Sequence, residues 1–254
     1  MTTIADEVPT GVKSAERTLD VLELLASIDE RLTLSEIARR LGAPKSSLHK
    51  LLGTMERRGW VETDEISHTH YRVGLRALLT GTRYIDIDEV VQLAQPLLTT
   101  ITETVQEASH LGRLDGADVV YLAKRESPHP LRMYSAVGRR LPAHATAMGK
   151  AMLAQRPWEE VDALLPKDLT ALTTSTITTR TRLREELALT RERGFAIDDE
   201  ESAEVMRAVA VTLPTPGANN AISVSAPLIR LSDEQIREYA ELLHRLASSY
   251  PSLK

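Results

Sequence analysis

The stretch Thr33 to Leu52 limits the possible folds more tightly than any other part of the chain. Thr33 and Glu36 have the spacing of a capping box, in which each residue satisfies the other's free backbone donor. Leu34, Ile37, Ala38 and Leu41 follow the i, i+3, i+4, i+7 rhythm of a buried helix face. Gly42 ends this helix, because glycine takes the left-handed C-terminal position without strain. Pro44 suits the first turn of a second helix, which buries Leu48, Leu51, Leu52 and Met55. That leaves Lys45, Ser46, Ser47, His49 and Lys50 pointing outward. A short helix offering only cations and small hydrogen-bonding groups fits a DNA major groove, so the pair reads as a helix-turn-helix. A three-helix unit used only for protein contacts would leave that outward set without a purpose.

The flanking residues extend the motif. Trp60 to Thr63 has strand character, Asp64 to His68 is polar and turn-like, and Thr69 to Val73 forms a returning strand. A helix-turn-helix followed at once by a hairpin is a winged helix. Upstream, Ser14 can cap a first helix whose Leu19, Leu22, Leu25 and Ala26 supply the third wall of the core. His68 and His70 could chelate a metal, but in a wing they are better placed for phosphate.

Charge looks wrong for a DNA binder until it is divided along the chain. The net charge is −5, yet residues 13–58 carry nine Lys or Arg against seven Asp or Glu. One such domain holds DNA weakly, since non-specific affinity scales with the phosphates neutralised. Several copies acting together on one operator are therefore expected. A length of 254 residues suits two domains. No apolar run approaches the roughly 18 residues of a membrane span. Met1 to Thr10 lacks the basic start and apolar stretch of a secretory signal and reads as a disordered tail. With no cysteine, disulfides and thiolate metal sites are excluded. A cytoplasmic protein without a cofactor is expected.

The remainder reads as α+β. Gly74 to Ile85 forms a connecting helix with Leu75, Leu78, Leu79 and Thr82 along one face, either a dimerisation device or a plain linker. Asp86 or Asp88 caps a helix running to about Val105, kinked or interrupted near Pro96. His110–Leu114 and Val119–Ala123 pair through a turn at Asp115-Gly116. Leu131 to Val137 is a further strand, and Ala145–Ala154 and Arg156–Leu165 are helices. Arg182–Arg193 is a charged helix closed by Gly194. Strands return at Phe195–Asp198, Met206–Val211 and Ala221–Ser225, before a final helix opened by a Ser232/Gln235 capping box. The domains are thus a tail at 1–12, a winged helix-turn-helix at 13–74, a linker helix at 75–92 and an effector and oligomerisation domain at 93–254.

Three clusters in the second domain could carry chemistry. Gly138 to Lys150 enters a helix through small residues, which suits either a polar ligand or tight helix–sheet packing. Asp198 to Glu201 places carboxylates at a strand end, for acid–base work or as a solvated turn. Ser223 and Ser225 share one sheet face, lining a pocket if that face is buried. Enzyme motifs are thin: there is no G-x-S-x-G, no phosphate loop and no metal-spaced His/Glu helix. A small hydrolase using Asp198 and His144, or a metal sensor using His68, His70 or His110, is the alternative to a regulator.

Four segments together resemble the IclR family of bacterial transcriptional regulators: Leu34–Leu52, Tyr71–Gly74, Arg140–Ala151 and Gly194–Glu201. The resemblance implies an N-terminal winged helix-turn-helix, a linker helix and a C-terminal GAF/PAS-like antiparallel sheet flanked by helices. It implies no catalytic residue and no metal. Members are dimers that pair into tetramers on palindromic operators, as repressors or activators of catabolic operons, and answer to small organic acids or aromatic compounds. By position, DNA contacts fall to Pro44, Lys45, Ser46, Ser47, His49 and Lys50, with His70 and Arg72 on the wing. The effector pocket falls to Thr146, Ala147, Met148, Asp198, Met206, Ser223 and Ser225. Two departures stand out: Val205 and Ala208 occupy positions where members carry Gly and Cys. Val205 is expected to fill space that glycine leaves open, and both changes imply a more apolar pocket floor.

Overall fold

Apolar spacing in the first 60 residues builds a small core that a hairpin then seals. The computed structural model describes residues 11–64, 67–130 and 136–251, and these divide into two compact units, up to Asp86 and from Ile87. In the first unit, α1 (Lys13–Ala26), β1 (Leu32–Thr33), α2 (Leu34–Arg40) and α3 (Lys45–Arg57) enclose Val21, Leu25, Ile37, Leu48, Leu52 and Met55. The Thr33/Glu36 box is complete: Thr33 N donates to the Glu36 carboxylate at 2.8 Å, and Glu36 N donates to Thr33 Oγ1 at 3.3 Å. Gly42 has φ +59°, the left-handed conformation that stops α2 without a Cβ penalty. β2 (Val61–Thr63) and β3 (His70–Val73) form the wing, and β1 pairs with the far side of β3 to complete a three-stranded antiparallel sheet.

Three local expectations are corrected here. Val12, not Ser14, is the N-cap of α1, and it makes no side-chain cap. The buried positions of α1 are Val21 and Leu25, while Leu19 and Ala26 are exposed. A stripe centred on Val21 and one centred on Leu19 differ by half a turn, and in so leucine-rich a helix spacing alone does not choose between them. Pro44 is the N-cap of α3 rather than a residue of its first turn. β1 was not anticipated, because two residues carry no periodicity.

Gly74 fastens the next helix, α4 (Leu75–Ile87), to the wing. A Cβ there would lie 2.4 Å from the Gly59 carbonyl oxygen, so no larger residue fits. Gly74 N donates to Trp60 O at 2.8 Å and Arg76 N to Gly59 O at 3.0 Å. α4 buries none of its residues, and Leu75, Leu78 and Leu79 are each more than half exposed.

The second unit is a sheet covered on both faces. Asp88 caps α5 (Glu89–Val105) by accepting from Val91 N at 3.1 Å. The helix runs through Pro96 without the expected interruption. β4 (Ala108–Asp115), β5 (Asp118–Arg125), β6 (Arg140–Pro142), β7 (Ala196–Asp199), β8 (Met206–Thr212) and β9 (Asn220–Pro227) form one antiparallel sheet, ordered β6-β5-β4-β9-β8-β7. Gly116, at φ +58°, turns β4 into β5. Every residue of central β9 is buried, as expected of a strand packed on both sides. One face meets α6 (Ala147–Leu153), with α7 (Trp158–Leu164) and α8 (Arg180–Arg193) completing that core. On the other face Ser109 of β4 donates to Leu98 O of α5 at 2.9 Å. The closing helix α9 (Asp233–Ser248) is capped by Ser232 and Gln235 in both directions. The strand expected at Leu131–Val137 falls mainly on 131–135, outside the described residues.

Candidate DNA-binding surface and ligand cavity

α3 divides cleanly into two faces. Leu48, Leu52 and Met55 are buried, while Pro44, Lys45, Ser46, His49 and Lys50 are exposed and Ser47 is half-buried. Ser47 Oγ accepts a 2.9 Å hydrogen bond from Arg17 Nη1 of α1. Nothing in the periodicity of α1 says which helix its polar face meets, so Arg17 is not legible from the sequence. On the wing, Arg72 lies opposite Glu62 in register and pairs with it, Nη2 to Oε2 at 2.9 Å. A phosphate would share Arg72 with that carboxylate. Asp64 organises the wing turn, accepting from Ser67 N at 2.6 Å, Ser67 Oγ at 2.7 Å and His70 N at 3.1 Å. The Ser67 hydrogen bonds hold its carboxyl far below the ordinary carboxylate range. His70 Nδ1 stands 3.0 Å from Thr69 Oγ1, inside the same turn.

The second candidate site is a small cavity of about 10 Å³ between α6 and the sheet, about the space one water needs. Thr146, Ala147, Met148, Asp198, Ser223 and Ser225 all line it. Met206, expected here, does not; it stands two residues before Ala208, which does. His110, Tyr121 and Ser202 also line it and were not singled out as pocket residues. His110 pairs in register with Ser223, and its ring meets Tyr121 edge-on at 5.4 Å. Alternation from Ser223 across to β4 would have found His110, had the register been known.

The small residues of the α6 segment serve the tight helix–sheet packing. A Cβ on Gly149 would lie 2.1 Å from Ala143 O, so Gly149 is a packing requirement. A Cβ on Gly112 of β4 would meet Met148 Sδ at 2.8 Å, so that glycine lets Met148 reach the sheet. Thr146 caps α6, accepting from Gly149 N at 3.0 Å. The acidic turn is likewise divided. Asp198 and Glu201 are buried, whereas Asp199 is exposed and pairs with Arg207 at 2.7 Å.

Electrostatics in the cavity follow from burial. Desolvation, with Lys124 adding to it, lowers the His110 pKa to about 4, so the imidazole is neutral at pH 7. Burial raises the Tyr121 and Asp198 pKa values. Asp198 Oδ1 accepts from Glu201 N at 2.8 Å and Ser202 N at 3.2 Å, which opposes that rise. Behind it Lys150, 1% exposed, forms an ion pair with Glu201. Ser225 Oγ is buried without a hydrogen-bond partner. The cavity therefore offers neutral donors and acceptors, one buried carboxyl and one unmade hydrogen bond.

Acid–base and metal chemistry find no such assembly. His144 Nε2 lies 3.0 Å from Thr170 O and does not line the cavity with Asp198. Among the described residues, no group of three or more His, Cys, Asp or Glu is placed to hold a metal ion.

A winged helix-turn-helix followed along the chain by an α+β domain with a polar-lined cavity is the architecture of a ligand-responsive, DNA-binding regulator of transcription. Residues 14–65 match the IclR helix-turn-helix domain, and residues 82–251 match the C-terminal domain of the bacterial transcriptional regulator IclR. The chain belongs to the IclR family. It is 33% identical over 244 residues to the transcriptional repressor IclR of Escherichia coli (strain K12), covering 93% of this chain and 88% of that protein. It is 35% identical over 229 residues to the regulator BhcR of Paracoccus denitrificans, covering 89% and 81%. An IclR transcriptional regulator from Alicyclobacillus acidocaldarius has the same fold at TM-score 0.82 and 26% identity, covering 95% of this chain and 98% of that one. An IclR homologue from Microbacterium hydrocarbonoxydans, solved with 4-hydroxybenzoate, matches at TM-score 0.74 and 25% identity, covering 93% and 97%. The relatives are regulators, and this chain is a regulator rather than an enzyme. No helix among the described residues is long and apolar enough to cross a membrane.

Proposed function

We propose that the cavity takes a small organic acid or aromatic compound as effector. Its occupancy then changes how paired copies of α3 engage a palindromic operator, that of a catabolic operon in the cytoplasm. The observation that carries this reading is Ser225 Oγ, 96% of whose residue surface is buried (4% exposed) and which bonds to nothing beside His110, Tyr121 and Ser223. An unmade buried hydrogen bond costs about 1–3 kcal/mol, and an effector oxygen would remove that cost. A relative's complex with 4-hydroxybenzoate supports the aromatic alternative.

With about 10 Å³ of space, the effector enters only if the walls move, and the unbranched Met148 chain is the most adaptable of them. A ligand that needs the open state binds the two states unequally, which is the requirement for any switch. DNA contacts fall to Pro44, Lys45, Ser46, Ser47, His49 and Lys50, joined by Arg17, with His70 and Arg72 on the wing. The exposed leucines of α4 support a homodimer, or a tetramer of paired dimers, with α4 helices from two copies covering one another.

Thermal unfolding of the full chain against organic acids and hydroxybenzoates tests the effector, because a ligand that binds only the folded state raises the midpoint. A Ser225→Ala variant that responds to the same ligand with unchanged affinity overturns the cavity assignment. Leu78→Glu is expected to lower the sedimenting mass; an unchanged mass overturns the role of α4.

A further inference from the structure

Away from both sites, a groove of about 560 Å³ runs between the start of α7 and the face of α8, within the size range of small-molecule sites. Arg156, Arg184 and Arg191 reach it from three points of the chain, and Trp158 forms a wall. These arginines are held in an unusual way. Arg191 donates from Nε to Ala154 O at 2.8 Å and from Nη2 to Arg156 O at 3.1 Å. Arg156 donates to Gly217 O at 3.4 Å and to Asn219 Oδ1. Its ion-pair partner Glu160 is exposed and 3.9 Å away. Arg184 stands 5.7 Å from the centroid of the Trp158 ring.

Several arginines elsewhere in this unit lean on carboxylates: Arg113 on Asp88, Arg193 on Glu186, Arg207 on Asp199 and Asp233, and Arg230 on Glu107. Carbonyl oxygens and an indole face fix a guanidinium without neutralising it. The groove therefore holds three oriented cations against one lining carboxylate, that of Glu159, and the exposed Glu160 that pairs with Arg156 at 3.9 Å. In addition, Arg156 Nε is buried with no hydrogen-bond partner.

We propose that this groove binds a small molecule bearing a phosphoryl group, a second input distinct from the effector cavity. A monocarboxylate saturates one guanidinium, whereas a tetrahedral dianion with three free oxygens can engage the remaining N–H groups of several guanidiniums at once. Trp158, packed against the core from the other side, gives an apolar wall for the rest of the ligand. Pinning two of the cations in the folded chain removes part of the ordering cost that binding would otherwise carry.

The chain has two tryptophans, so Trp60→Phe leaves Trp158 as the only indole reporter. In that full-length background, phenyl phosphate is expected to change Trp158 emission saturably, with half-saturation below about 1 mM. Adding Arg184→Gln or Arg191→Gln should weaken the response at least about tenfold. Arg184 is exposed, so its variant should unfold at the same temperature as its parent without ligand. No saturable change up to about 10 mM overturns the proposal. So does a response undiminished by Arg184→Gln, which would place the phenyl phosphate in the effector cavity. A response accompanied by a larger sedimenting mass also overturns it, because the groove would then be a contact between copies.

Discussion

The outward face of α3 and the cavity beneath α6 handle polar groups in opposite ways. On α3, Lys45, Ser46, His49 and Lys50 stand in water, so presenting them costs the fold almost nothing. In the cavity, His110, Asp198, Ser223 and Ser225 are each at most 4% exposed, and their desolvation is a standing charge on stability. Contact made through solvated cations is long-ranged and screened by salt. Contact made through buried hydrogen bonds is short-ranged and depends on which bonds are filled. One surface suits finding a polyanion; the other suits reporting whether a particular molecule is present.

The largest effect expected is on communication between them. Asp198→Asn combined with Ser223→Ala should abolish a ligand effect on operator affinity of roughly 5–150-fold, the usual range of allosteric coupling. Binding of DNA in the absence of ligand should be unchanged. A gel-shift titration with and without effector reads both, and a normal response in the double variant breaks the division of labour drawn above.

Next in size is a pH effect confined to the cavity. The folded pKa of His110, about 4, lies below its unfolded value of about 6.5. The unfolded chain therefore takes up the proton first, and the stability present above pH 6.5 falls as pH drops toward 4. At pH 5 the loss is about 2 kcal/mol. Asp198, whose folded pKa is raised, works in the opposite direction, so the comparison must be His110→Gln against the parent. Urea unfolding at pH 7 and pH 5 should show the variant losing less stability. Equal losses would mean that His110 is not desolvated.

Lys45→Ala should weaken operator binding about tenfold and reduce the slope of log affinity against log salt by about 1 for each copy bound. The thermal midpoint should not move. An unchanged salt slope would remove Lys45 from the phosphate-contacting set.

Smallest is Val205→Gly. Val205 has φ +55° and is 65% exposed, so it does not fill the pocket as its sequence position implied. A β-branched residue in that conformation is strained by about 1–3 kcal/mol, offset in part by the entropy that glycine restores to the unfolded chain. A net gain of about 1 kcal/mol in chemical denaturation is expected, with DNA and ligand binding unaltered. Ala208, by contrast, does line the cavity.

What was legible in the sequence shares one property, that the signal is local. The Thr33/Glu36 and Ser232/Gln235 boxes, the Gly42 and Gly194 stops and the Asp115-Gly116 turn each depend on residues a few positions apart. The shared face of Ser223 and Ser225 was equally local. His110 and Tyr121 escaped because they enter the cavity through the registers of β4 with β9 and β5, which no short window encodes. Arg17 escaped for the same reason, since its partner Ser47 lies 30 residues away. Val205 was misplaced because a residue's position along the chain does not say whether its Cβ turns inward or outward at a left-handed corner.

The junction at Gly74 has a mechanical consequence. Two backbone hydrogen bonds and a gap too small for a methyl group weld the root of α4 to the turn that closes α3. A bearing with no clearance cannot absorb rotation. The 13 residues of α4, about 20 Å of helix, start from that joint. Gly74 thus keys the base of α4 to the end of α3 and leaves no clearance for rotation between them.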